Sequence, residues 1–251
     1  MLLDGKVAVV YGGGGAIGGA VAEGLAREGA HVFLAGRTAE PVARVAERIT
    51  AAGGRAEAAV VDALDADAVE AHADAVVAAG GGLHISFNSI SHGDVQGTPM
   101  VEMDVEDYMA PIVTGVRTNF LTWKAAGPRM AASGGGVILL FGGGGPPIPG
   151  YSIGGLQTDL EALESMRRQF SQEMGDQGVR VITLRTGGIP EGIPDDFAYK
   201  AQIEKGIVEQ TMLGRAATLR DVADVAAFVA SDRARTMTAA TVNVSCGSLH
   251  D

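Results

Sequence analysis

The chain has 251 residues, 47% of them hydrophobic but only 5% aromatic, which suits one large α/β domain whose core is Ala, Val, Leu and Ile. A net charge of −11 argues against nucleic acid or anionic membrane as a partner, since both need a basic face. Cys246 is the sole cysteine, Met1–Lys6 has no leader-like pattern and no run approaches the ~18 apolar residues of a membrane span, so a cytoplasmic protein without disulfides or a Cys-based metal site is expected.

Short apolar runs alternate with amphipathic stretches from end to end, and this pattern predicts a parallel sheet covered by helices. The first strand, Val7–Val10, is followed by a helix over Ala16–Glu28. Strands at His31–Ala35, Arg55–Val61 and Leu83–Phe87 alternate with helices at Glu40–Ala52 and Ala66–Ala79, and a long helix lies within Val105–Ala132. The strand Val137–Phe141 runs into Gly142–Gly145 and a loop with Pro146, Pro147 and Pro149, then a helix over Leu156–Met174. Arg180–Leu184, a helix over Asp221–Ala230 and Thr241–Val244 complete seven strands, and Gly187–Gly206 reads as a mobile loop with a short helix. Arg220-Asp221 places an acid in the first turn of the last helix, where its dipole favours one. The expected fold is a single doubly wound, Rossmann-type domain over residues 1–251, with three α/β/α layers and ligands outside the carboxyl ends of the strands.

Tyr11-Gly12-Gly13-Gly14-Gly15-Ala16-Ile17-Gly18 lies between the first strand and the first helix. Glycines there allow a tight turn and let the backbone approach a pyrophosphate resting on the helix N-terminus. Gly12, Gly14, Gly15, Ala16, Ile17 and Gly18 are therefore taken as nucleotide-binding. If position 16 needs a positive φ, alanine costs about 1 kcal/mol there. At the end of the second strand stand Gly36, Arg37 and Thr38, where NAD-selective sites place an acid for the ribose 2′-hydroxyl. An arginine in that place suits a 2′-phosphate, so NADP(H) is expected over NAD(H), with Arg37 merely solvating a strand end as the plainer reading.

Nearly the whole chain resembles the short-chain dehydrogenase/reductase family. Gly214-Arg215, Asp221-Val222-Ala223, Phe228 to Asp232 and Val242-Asn243-Val244 carry that likeness, with Glu173-Met174-Gly175 and Gly178 to Val181 before them. The resemblance implies that Asp62 bonds the adenine amino group, although the same residue suits a cap of the following helix. It implies that Asn88 and Ser89, in the family's Asn-Asn-Ala-Gly position, adjoin the nicotinamide. It also implies that Gly187 and Ile189, in Thr186-Gly187-Gly188-Ile189, hold its carboxamide.

The catalytic set departs from the resemblance. Counting from Glu173, the family's Tyr and Lys fall on Leu156 and Leu160; its Ser falls on Gly143 and its Asn on Gly115. No lysine occurs between Lys124 and Lys200, so no shift of register restores the pair. Tyr151 and His92 are the candidate replacement proton donors, each with a bland alternative as a rim contact or a solvated loop residue. Ser89, Ser91 and Asp94 share the loop of His92. Asn119 falls one turn beyond the Asn position, Lys124 reads as a surface or subunit contact, and His72 and His84 show no metal-ligand spacing. Glu161, Glu164, Arg167 and Arg168 read as an exposed helix face, with Arg168 following Glu164 at i+4. Leu156, Leu160 and Gly142–Gly145 suggest an apolar, roomy pocket floor and a small organic ligand that is apolar or bulky.

The expected function is an NADP(H)-binding oxidoreductase with a non-standard active site. A catalytically silent nucleotide-binding subunit and a non-redox lyase or isomerase remain alternatives. The resemblance further implies a homodimer or homotetramer joined through the two long helices, with an apolar stripe on the helix from Leu156 available for it.

Overall fold

The computed structural model describes residues 1–147 and 151–250; Pro149 of the proline loop lies outside them. Its sheet has seven strands, all paired in parallel, in the order β3-β2-β1-β4-β5-β6-β7. The strands are β1 (Val7–Tyr11), β2 (His31–Gly36), β3 (Arg55–Val60), β4 (Ile85–Asn88), β5 (Gly136–Phe141), β6 (Val179–Arg185) and β7 (Ala240–Asn243). The helices are α1 (Ala16–Arg27), α2 (Ala39–Ala51), α3 (Ala66–Gly80), α4 (Val105–Ala132), α5 (Gly155–Met174), α6 (Lys200–Glu209) and α7 (Leu219–Ala230). Most expected boundaries fall within two residues of these. In Gly187–Gly206 the expected short helix is α6, which starts at Lys200 and runs past the segment to Glu209.

The apolar runs of β1, β2, β4, β5 and β6 form strands because both faces of the sheet are covered there, so successive side chains are mostly apolar. Val10, Leu34, Phe87, Leu139 and Leu184 point into one core, packed with Val21, Leu25, Val45, Val222 and Ala226 of α1, α2 and α7. Their neighbours Tyr11, Ala35, Ile138, Leu140 and Val181 point into the other, with Val69, Val76, Trp123, Met130 and Leu163 of α3, α4 and α5. Trp123 meets Phe170 edge to face at 5.7 Å, which joins α4 to α5. On the same face Arg129 of α4 clamps α3 through Glu70 (2.7 Å) and Asp74 (2.7 Å).

Two local expectations are corrected. Ala16 opens α1 and does not have a positive φ, so alanine carries no strain there. The charged residues of α5 do not form one exposed face. Glu161 and Arg168 are exposed, but Glu164 and Arg167 are buried. Arg167 donates to Glu164 Oε2 from Nε (2.8 Å) and Nη2 (2.6 Å), and Thr183 of β6 donates to Glu164 Oε1 at 2.6 Å. Helical spacing puts 164 and 167 on the side that faces β6, and mutual pairing makes their burial tolerable.

Helix α7 begins two residues before the expected Asp221. Thr218 is its N-cap, accepting from the Asp221 backbone N–H at 3.0 Å, while Thr218 N–H donates to Asp221 Oδ2 at 2.9 Å. Arg215 donates to the same carboxylate at 2.7 Å, and it and the Thr218 bonds hold the Asp221 carboxyl down at about 2. Asp221→Ala removes the capping box and is expected to cost about 1–2 kcal/mol, read as a lower Tm. Because the folded value lies below the ordinary 3.8, Asp221 contributes fully above that pH and its contribution fades as pH falls toward 2. Asp221→Asn should therefore narrow its stability gap to the parent across that interval in acid titrations.

Candidate active site

Strand β1 lies between β2 and β4, so the chain leaves β1 in opposite directions across the sheet and a crevice opens at the strands' carboxyl ends. Gly12 shapes its centre. Its φ is +74°, and a Cβ there would stand 2.8 Å from the Ser89 carbonyl oxygen, so only glycine lets the turn after β1 approach the loop after β4. The same close packing continues at Gly18, whose Cβ would run into the Gly12 carbonyl.

The crevice is a 590 Å³ cavity whose walls come from four strand ends. Tyr11, Gly12, Gly14 and Gly15 follow β1; Gly36, Arg37 and Thr38 follow β2; Asp62 follows β3; Ser89, Ser91 and His92 follow β4. Ala110, Thr114 and Thr118 of α4 close the side. Gly15 is the N-cap of α1, with no side-chain cap and no acid in the first turn, so the helix offers backbone N–H groups and the positive end of its dipole. Arg37 is exposed and makes no ion pair among the described residues. Asp62 is not the helix cap: Asp65 does that work, accepting from Asp67 and Ala68, while Asp62 accepts from Leu64 N–H at 3.0 Å.

Other singled-out residues stand outside this lining. Asn88 accepts from Ile90 N–H at 3.0 Å and thereby bends the loop after β4. Ile17 and Ile189 pack against the core, and Gly187 is pressed against Ser248. Tyr151 is half exposed, with its hydroxyl donating to Gln96 Oε1. Lys200 donates to the Ile193 carbonyl (2.9 Å) and to Asp195 (2.6 Å). Leu160 lies against Gly142, but Arg185 of β6 stacks over Gly143 and Gly145 and Glu161 faces Gly144. None of these residues lines the cavity, and the glycine turn expected as its floor packs against both apolar and charged side chains, because β6 ends in arginine beside it. His72 is buried edge-on to Tyr11 at 5.9 Å, and burial holds its imidazole below the ordinary value. Burial likewise pushes the Tyr11 phenol up. His84 Nδ1 accepts from Val7 N–H at 3.1 Å, and no metal-holding cluster of His, Cys, Asp or Glu occurs among the described residues.

His92 is held differently from a solvated loop histidine. Its Nδ1 lies 2.5 Å from Oδ2 of Asp159, a carboxylate on α5 with no exposure at all. Asp159 Oδ1 has no protein partner. Room for the carboxylate exists because residue 115 on α4 is glycine: a Cβ there would sit 2.5 Å from Asp159 Oδ2. Asn119, one turn on, donates to the Gly115 carbonyl at 2.9 Å instead of reaching the cavity. Sequence reading overlooked Asp159. The available signal was its spacing with Leu163, Glu164, Arg167 and Ser171, which share the buried side of α5.

A family model described as enoyl-(acyl carrier protein) reductase matches residues 14–248. An oxidoreductase of Methylorubrum extorquens is 31% identical over 98% of each chain. The 2,5-dichloro-2,5-cyclohexadiene-1,4-diol dehydrogenase of Sphingobium indicum is 30% identical over 98% of this chain and 96% of its own. The solved 7α-hydroxysteroid dehydrogenase with NADH and 7-oxo glycochenodeoxycholic acid superposes with a TM-score of 0.86 at 25% identity, covering 99% of this chain and 96% of that one.

Gly115→Ala is expected to force the Asp159 carboxylate aside and to destabilise the protein by about 1–3 kcal/mol, measured by denaturant unfolding. An unchanged midpoint would mean that α4 and α5 separate easily here.

Proposed function

The chain belongs to the short-chain dehydrogenase/reductase family of NAD(P)(H)-binding oxidoreductases, and from that premise we propose that it is an NADP(H)-dependent enzyme acting on a ring-borne secondary alcohol or ketone. The observation that carries this reading is the single cavity into which four strand ends bring Gly12, Arg37, Asp62 and His92. These residues fit the cofactor. The uncapped start of α1, preceded by Gly12, Gly14 and Gly15, takes the pyrophosphate, with Ala16, Ile17 and Gly18 forming the first turn behind it. Arg37 and Thr38 take the 2′-phosphate, and Asp62 takes the adenine amino group. Asn88 and Ser89 shape the nicotinamide end, with Gly187 and Ile189 on its carboxamide side. When bound, the nicotinamide supplies or accepts hydride.

The proton donor in this reading is not a Tyr–Lys pair. Leucines occupy positions 156 and 160, Tyr151 is turned to Gln96, and Lys200 is committed to Asp195. His92 lines the cavity and takes that role. The ring preference draws on the two relatives named for a cyclohexadiene diol and a hydroxysteroid.

The protein also self-associates in this reading. Met109, Val113 and Phe120 of α4 are exposed at helical spacing, an apolar stripe that a second copy would cover. Phe120→Glu should shift the oligomer toward monomer in light scattering; an unchanged mass would remove α4 from the interface.

Fluorescence titration with NADPH and NADH tests the cofactor assignment. NADPH should bind at least about tenfold more tightly, and Arg37→Ala should erase that preference, since a charge-assisted contact is worth about 1.5–3 kcal/mol. Equal affinities would overturn the NADP(H) preference, and no binding of either would overturn the oxidoreductase reading.

A further inference from the structure

We propose that Asp159 and His92 form an acid–base dyad in which the buried carboxylate fixes the imidazole tautomer and aims Nε2 at the substrate oxygen. This deepens the reading of His92 as proton donor and rests on it.

Four observations converge. His92 belongs to the loop after β4 and lines the cavity, while Asp159 belongs to α5 and is fully buried, so the two come from elements 67 residues apart in sequence. Their Nδ1···Oδ2 distance is 2.5 Å, which consumes one ring nitrogen and leaves Nε2 without a protein partner among the described residues. A carboxylate in a dry site is costly unless a proton donor faces it, and Asp159 Oδ1 has no protein partner, so the His92 contact carries its whole compensation. Finally, Gly115 is the cutout that admits the carboxylate: any side chain there would occupy its place. An ionised carboxylate only accepts, so the proton shared with Asp159 belongs to Nδ1. In the neutral ring Nε2 is then a base, and in the imidazolium it is the acid.

In the reductive direction the imidazolium would transfer its Nε2 proton to the carbonyl oxygen, the carbonyl carbon taking the hydride that a bound reduced nicotinamide would supply. The C=O π bond breaks, one C–H and one O–H bond form, and the substrate is reduced as the nicotinamide is oxidised. The ring is left neutral with its proton on Nδ1, and Nε2 regains a proton from solvent. Oxidation of an alcohol runs through the same steps reversed. His92 is the catalytic residue and Asp159 the positioning one.

The test begins with the tautomer, which needs neither cofactor nor substrate. Long-range ¹H–¹⁵N spectra of ¹⁵N-labelled protein, with the His92 signals identified by their loss in His92→Gln, should show the neutral ring protonated on Nδ1. Only five histidines contribute to the spectrum. Asp159→Asn, which lets an amide N–H face Nδ1, should move the proton to Nε2. A ring protonated on Nε2 in the parent would overturn the dyad.

Turnover of cyclohexanone with NADPH is the second readout. Both His92→Gln and Asp159→Asn should lower kcat by about 100-fold or more, with KM and NADPH affinity within about twofold of the parent. Asp159→Glu, which keeps the charge, should recover part of the loss. Equal turnover in all variants, or none of this ketone by the parent, would overturn the proton-delivery role. Failure of NADPH to bind the parent would sink the broader oxidoreductase reading, and the tautomer result would still decide the dyad.

Discussion

Everything in this molecule follows from β1 pairing in parallel with both β2 and β4. Parallel strands need crossovers, and each crossover here lays a helix on one face or the other. Where both faces are covered, the inner strands become nearly continuous apolar runs, while the edge strand β3 stays largely exposed. The crevice at the carboxyl ends is a consequence of that chain path rather than of any side chain. Side chains then refine it: Gly12 lets the loops after β1 and β4 close up, and Asn88 bends the second of them by accepting from Ile90. That bend sets where Ser89, Ser91 and His92 arrive.

Helix α5 departs from the usual division between apolar core and polar surface. Its buried side carries Asp159, Glu164, Arg167 and Ser171 with Leu163. Glu164 is matched by Arg167 and Thr183 and needs nothing from the cavity. Asp159 is matched by His92 alone. The two carboxylates sit five residues apart on one helix, yet one closes a self-sufficient cluster and the other is tied to a loop at the crevice. A buried ion pair seldom adds net stability over an apolar substitute, so the Asp159 arrangement is better explained by what it does to the imidazole.

The fold was legible in the sequence because it rests on periodicity, and each apolar run between glycine-rich turns became a strand. Part of the crevice was legible for the same reason: Gly12 and Arg37 stand out at their strand ends, whereas Asp62 came from the family resemblance and His92 from the search for a replacement proton donor. What periodicity could not give was a contact between distant elements. Asp159 sits beside Leu160 on a helix whose other charges looked solvent-facing, and only packing of α5 on α4 reveals that it points inward. Glu164 and Arg167 were misread by the same route, because charge type was allowed to outweigh helical spacing. Arg185 was missed because a strand-end arginine gives no sign in sequence of folding back over the glycine turn after β5. Ala16 went the other way: a cost was foreseen only if position 16 needed a positive φ, and it is an ordinary first helical residue.

Among the described residues no lysine lines the crevice, which follows naturally if imidazole is the acid. A phenol has an ordinary pKa near ~10 and needs a nearby cation to donate efficiently at neutral pH, whereas imidazole as a class titrates near neutrality and needs none. What imidazole needs is orientation, since its proton exchanges between two ring nitrogens until something claims one of them. Asp159 claims Nδ1, and it reaches that place only because Gly115 gives up its side chain. The residues at 115, 159 and 160 therefore belong to one exchange: a cation is dispensable, a carboxylate becomes necessary, and α4 must yield the volume the carboxylate fills. A side chain at 115 with Asp159 kept would leave two groups competing for one space.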